Sequence, residues 1–189
     1  MSIIGNNLLS QISSRNISIQ PGEMLERISM NLISMLDNKQ GENGKENGKR
    51  AAWKVKDGMD IALCSLNKET LELNFAGAHN PLYLIRNSKL QEFKGDRLFI
   101  GNTQPSDKFK NHTIQLEHGD CLYLFSDGFA DQRGGPENKK YYYAPFKDLL
   151  IGIHKNPMDE QEEILKKSFK AWMGNNEQVD DVIVMGIRV

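Results

Sequence analysis

Two acidic positions far apart in the chain could do chemistry together. Asp127 closes the run Leu122-Tyr123-Leu124-Phe125-Ser126 and is followed by Gly128-Phe129-Ala130-Asp131. Asp180 lies in Val179-Asp180-Asp181, just ahead of Val182-Ile183-Val184-Met185. Each carboxylate sits at the end of a hydrophobic run that reads as a buried strand. A strand holds such a group rigidly at the lip of a sheet, and carboxylate oxygens are the donors that Mg²⁺ and Mn²⁺ prefer. Two such ions about 3.5–4 Å apart can share a bridging water and lower its pKa, giving a hydroxide for in-line attack on phosphorus. Positive charge then neutralises the phosphoryl oxygens, and no protein nucleophile is needed. The pair therefore predicts one shared metal centre and a metal-dependent hydrolase.

Blander readings compete. Asp-Gly is common turn chemistry, and taken alone Asp127 is better read as a turn residue. Asp180-Asp181 alone could be a solvated turn before the last strand. His79, between Gly77-Ala78 and Asn80-Pro81, either faces the site as a phosphate or water contact or holds its own turn. His112, His118 and His154 have no metal-type partners and read as surface or turn residues. Lys139-Lys140 beside Tyr141 to Tyr143 is read as a loop packing on the core, and Gly134-Gly135-Pro136 as either a substrate-guiding flap or a plain connection.

The elements that would position these residues follow from periodicity. Residues 2–12 and 21–36 carry helical apolar spacing, the second with Pro21 in its first turn and a stripe of Leu25, Ile28, Leu32, Ile33 and Leu36. Residues 38–50 are polar and Gly-rich and read as a flexible surface loop. Short apolar runs at 60–66, 71–76, 82–86 and 90–93 read as strands, joined at Asn67-Lys68-Glu69-Thr70 and Asn87-Ser88 by hairpins. Runs at 113–116 and 121–125 are expected to pair around His118-Gly119-Asp120. A loop at 133–140, helices at 144–153 and 158–172 and a strand at 182–189 complete the order. An antiparallel meander with helices predicts an α+β fold in one domain, residues 1–189. It also argues against a parallel-sheet phosphoacceptor domain with Asp127 as the acceptor.

Composition narrows the class. The 189 residues are 39% hydrophobic and 26% charged, ordinary for a globular chain with a sizeable core. With 24 basic against 25 acidic residues the net charge is −1, which offers no electrostatic case for nucleic acid or an anionic membrane. No apolar run approaches the ~20 residues of a membrane span. Cys64 and Cys121 fall in strand-like runs and read as buried reduced thiols. A cytoplasmic protein is expected.

Four stretches resemble the stage II sporulation protein E-type serine phosphatases, a branch of the metal-dependent (type 2C) protein phosphatases. They are Asp57-Gly58-Met59-Asp60-Ile61-Ala62-Leu63-Cys64, Phe75-Ala76-Gly77-Ala78-His79-Asn80-Pro81-Leu82-Tyr83, Leu122-Tyr123-Leu124-Phe125-Ser126-Asp127-Gly128 and Gln178-Val179-Asp180-Asp181-Val182. Their order and spacing cover nearly the whole chain. The resemblance implies a sandwich of two antiparallel sheets flanked by helices, with two Mn²⁺ or Mg²⁺ ions at one end. It makes Asp127 and Asp180 metal ligands and Asp131 an accessory one; Gly128 and His79 are further candidate site residues. It further implies hydrolysis of phosphoserine or phosphothreonine on a regulatory protein, such as an anti-sigma-factor antagonist.

One departure is serious. The family's early metal motifs, an Asp at the end of a first strand and an Asp-Gly segment ending in a Gly-Ala-Phe-like turn, would lie before Met1. An N-terminally truncated domain is therefore expected, with weak metal binding by this chain alone and an uncovered sheet edge that invites self-association. A degenerate, partner-binding domain without turnover is the alternative.

Overall fold

A computed structural model describes residues 19–40, 58–104 and 106–189. The expected helix at 2–12 lies outside them, as do Asp57 and residues 41–50 of the expected loop. The remaining residues form two compact units, one built from residues up to His79 with Gly95–Ile114, the other from Asn80–Lys94 with Gln115–Val189.

In the first unit, helix α1 (Pro21–Gln40) begins at the proline and continues four residues past the expected end at Leu36, so residues 38–40 are helical rather than loop. Leu25, Ile28 and Leu32 recur at helical spacing and are fully buried. They pack with Ala76, Ala78, Ile100 and Phe109 in one apolar cluster. Strands β1 (Ile61–Asn67) and β2 (Glu72–Ala78) pair antiparallel from Asn67↔Glu72 to Ile61↔Ala78. Their turn is set by Asn67, whose Oδ1 accepts the Glu69 and Thr70 amides.

In the second unit, β3 (Leu82–Arg86) and β4 (Lys89–Phe93) form a two-residue hairpin. Asn87 and Ser88 both have positive φ, 51° and 61°, as a type I′ turn demands. Strand β6 (Cys121–Phe125) pairs antiparallel with β3 and with β9 (Val184–Arg188), giving the order β4-β3-β6-β9. Tyr83, Ile85, Cys121, Tyr123 and Phe125 alternate along their strands and form a cluster with Phe129, Phe146 and Leu150. The latter pair comes from helix α3 (Tyr143–Ile153). Helix α4 (Met158–Met173) adds Met158, Leu165 and Phe169 to the same cluster.

Three expectations are corrected. Strand β5 (His112–Gln115) does not pair with β6: it joins the first unit's sheet, ordered β1-β2-β5. Both neighbours of β6 in its sheet are taken by β3 and β9, so the His118-Gly119-Asp120 turn links two sheets rather than two strands of one. Residues 133–140 are not a plain loop but a ribbon of β7 (Arg133–Gly134) against β8 (Lys139–Lys140). The run at 182–189 is not a buried strand. Among the described residues β9 stands last in its sheet, and Met185 and Ile187 on one of its faces are 53% and 38% exposed, as is Ile183 just before the strand at 61%.

Candidate functional site

Strand β6 delivers Asp127. The strand ends at Phe125, and the chain turns at once into α2, a single helical turn (Gly128–Asp131) with Asp127 at its N-cap. The Asp127 side chain makes no capping bond to that turn and is exposed. Its backbone carbonyl accepts the Asp131 amide at 2.9 Å, which fixes the spacing of the two acidic residues along the chain.

Asp180 arrives on the irregular segment 177–183 that leads into β9. Its Oδ1 accepts the following amide, that of Asp181, at 2.7 Å, and its backbone carbonyl accepts Gln178 Nε2 at 2.7 Å. Both Asp180 and Asp181 are exposed.

The two segments are stitched together. Ser126 Oγ donates to the Asp181 carbonyl at 2.7 Å and accepts the Ile183 amide at 3.0 Å, while the Ser126 amide donates to the Ile183 carbonyl at 3.0 Å. Gly128 lies so close that a Cβ there would meet the Asp181 carbonyl oxygen at 2.4 Å. Only glycine allows this approach, so the Asp-Gly pair brings one backbone against the other rather than merely making a turn. Asp127 and Asp180 thus flank two adjoining backbones.

Asp131 is already engaged. Its Oδ2 takes Lys140 Nζ from β8 at 2.9 Å, with both side chains about two-fifths exposed. His79 belongs to the first unit. It sits at φ 59°, donates its amide to the Asp96 carbonyl at 2.9 Å and stacks its exposed ring on Phe99 at 4.0 Å.

The donor set decides what the described residues can hold. Among them, no three His, Cys, Asp or Glu side chains come together as a metal-binding group. Asp127 has no capping partner, Asp131 is ion-paired and Asp180 accepts a neighbouring amide. A centre of two oxygen-loving cations needs more carboxylates than these. The described side chains do not make a complete two-ion site.

Sequence reasoning gave no role at this site to three residues that shape this end of the sheet. Ser126 and Lys140 are two. The third is Gln132, fully buried beside α2, with bonds to the 177–179 segment. The one trace of it in the sequence is a glutamine directly after an apolar turn, which periodicity does not flag.

Comparison with known proteins gives these features a context. A model of the family "Stage II sporulation protein E (SpoIIE)" matches residues 2–189. Among solved structures, the SiaA-PP2C domain of Pseudomonas aeruginosa is 25% identical with a TM-score of 0.84, covering 100% of this chain and 68% of that one. The PP2C phosphatase domain with a fragment of the regulatory domain of SpoIIE from Bacillus subtilis is 18% identical with a TM-score of 0.69, covering 97% of this chain and 47% of that one. The RsbU and RsbW domains of a Mycobacterium tuberculosis protein are 19% identical with a TM-score of 0.67, covering 100% of this chain and 47% of that one. This chain thus spans about half the length of the latter two. No curated protein sequence matches it. The antiparallel sheets and helices are those of type 2C phosphatase folds.

Proposed function

Because the chain belongs to the stage II sporulation protein E family of type 2C phosphatase domains, we propose that it serves in Mn²⁺- or Mg²⁺-dependent hydrolysis of phosphoserine or phosphothreonine on a regulatory protein. The observation that carries the reading is the stitched pair of acidic segments. Asp127 and Asp180 approach from sequence positions far apart, through backbones that touch at Gly128 and Asp181. In this reading Asp127 and Asp180 would be metal ligands and Asp131, ion-paired to Lys140, an accessory one. An all-oxygen donor set favours Mg²⁺ or Mn²⁺ over softer metals. Gly128 permits the approach of the two backbones, and His79 remains a candidate contact for substrate.

A phosphoprotein partner of the anti-sigma-factor-antagonist kind is part of the same proposal. Its support is the likeness to the structure of the RsbU and RsbW domains of a Mycobacterium tuberculosis protein. A cytoplasmic location is supported by the two free cysteines. Among the described residues, no helix is long and apolar enough to cross a membrane.

A second reading, partner binding without turnover, is favoured by one observation. The described residues hold no group of three metal-capable side chains. Phosphate release from a phosphoserine peptide with Mn²⁺ separates the two. The phosphatase reading expects Mn²⁺-dependent turnover that Asp127→Asn lowers by about a hundredfold or more. No turnover in the wild-type chain, with calorimetry showing no Mn²⁺ uptake, leaves the binding reading.

A further inference from the structure

Gln132 is the residue directly after α2, and its side chain is fully buried. Its Nε2 donates to the Arg133 carbonyl at 2.9 Å and to the Glu177 carbonyl at 3.0 Å. Its Oε1 accepts the Val179 amide at 3.3 Å. Its own carbonyl accepts Trp172 Nε1 at 3.0 Å, from the end of α4, and the Tyr141 amide at 2.9 Å, from just past the ribbon. A buried amide is tolerated only when both its ends are bonded. Here two of the three side-chain bonds go to one place, the 177–179 segment.

Residues 177–183 belong to no helix or strand, so no ladder of their own places them. Apart from hydrogen bonds, Val182 of that segment packs against the apolar cluster of the second unit. Gln132 grips the upstream end at Glu177 and Val179. Ser126 grips the downstream end at Asp181 and Ile183. The two gripping residues bracket Asp127 and α2 in sequence, and the two gripped ends bracket Asp180. An apolar side chain would fill the space occupied by Gln132 without touching the carbonyl of Glu177 or the amide of Val179. The amide therefore does something that core filling alone does not require.

We infer that Gln132 is a positioning residue: its buried amide, with Ser126 opposite, sets the place of the Asp180 segment against the Asp127 turn. The inference borrows its functional meaning from the phosphatase reading, but the clasp itself is a matter of backbone order. Removing the clasp should loosen one segment and leave the sheet and helices around it intact.

Hydrogen exchange on the whole chain, read peptide by peptide, tests this. Gln132→Met keeps the length and volume of the side chain and deletes its amide. Exchange across 177–183 should rise about tenfold or more, the effect of losing roughly one to two buried hydrogen bonds, while β6, α3 and α4 keep their wild-type rates. Ser126→Ala should give the same signature centred on 181–183. Unchanged exchange in 177–183 overturns the inference, and so does an equal rise in every element of the unit, which would make Gln132 a core filler. A second measurement needs no variant: the Gln132 side-chain NH₂ in the wild-type chain should be protected from exchange in nuclear magnetic resonance spectra, and a freely exchanging one overturns the clasp. These readings use no metal and no substrate. Absent phosphatase turnover would therefore sink the phosphatase reading alone, and unaltered exchange would sink the clasp alone.

Discussion

Single residues differ in how much of their role their own type reveals. Asp120 is 1% exposed and bonded three times, by Arg86 Nε at 2.9 Å, Arg86 Nη2 at 2.6 Å and the Glu117 amide at 2.9 Å. Burial by itself would raise its carboxyl, but the Arg86 hydrogen bonds, the Glu117 amide and the guanidinium charge outweigh burial and hold it below the usual carboxylate range. A depressed native value means stability that is complete above the unfolded value, about pH 4, and lost as pH falls through the native one. Asp120→Ala should therefore cost about 2–3 kcal/mol at pH 7, with the difference from wild type shrinking below about pH 4; urea midpoints across pH measure both. None of this is visible in Asp120 as read from sequence, where it stood only as part of a turn. Asp127 and Asp180 stand out in the sequence because each flanks an apolar run, while the bonds and close approach that bring their two segments together do not. Gln132 and Lys140 do not stand out, because their meaning lies in partners: Glu177 is 45 residues away from Gln132, and Lys140 reaches back to Asp131 from a ribbon that a polar, Gly-rich stretch gave no reason to expect.

At the scale of elements, periodicity located strands better than it located their neighbours. Strands β3 and β6 fall where their apolar runs do, and α3 and α4 begin within a residue of their expected starts. Partner choice is another matter. A four-residue strand such as β5 carries the same alternation whichever sheet it joins, and nearness in sequence wrongly suggested β6. The apolar run of β9 was equally misleading, since it reads as buried and stands at an edge. The two edges of that sheet contrast. Strand β4 carries Lys89 and Glu92, the latter ion-paired to Lys147, and charges of this kind discourage further pairing. Strand β9 carries only Arg188, whose Nη2 is bonded to the His154 and Asn156 carbonyls. Self-association through β9 is the expected outcome, with sedimentation coefficients rising with concentration. Met185→Lys, which places a charge on the exposed face, should return the chain to a monomer, and a wild-type chain that stays monomeric at every concentration would count against the edge as a pairing surface.

For the molecule as a whole, its two units each contain one thiol. Cys64 lies in β1 of the first unit, where burial pushes its thiol up to about 12. Cys121 is fully buried in β6 of the second, with its Sγ 3.4 Å from the His154 carbonyl. Only a thiolate attacks a disulfide reagent, and at pH 8 a thiol with a pKa of about 12 is ionised to roughly one part in ten thousand. Ellman's reagent should therefore react with the native chain at least about a hundredfold more slowly than with the chain in urea, where two thiols should be counted. Peptide mapping of the labelled cysteine then tells which unit has opened. The place of β9 in its sheet adds a consequence in time. Strands β3, β4 and β6 are synthesised before α2, α3 and α4, whereas the sheet's fourth position is filled from beyond all three helices. In synthesis Asp127 therefore precedes Asp180, and the two acidic segments meet only once residues 181–183 are free to bond Ser126. A stop codon between the two segments yields a chain that carries Asp127 and has nothing to set beside it.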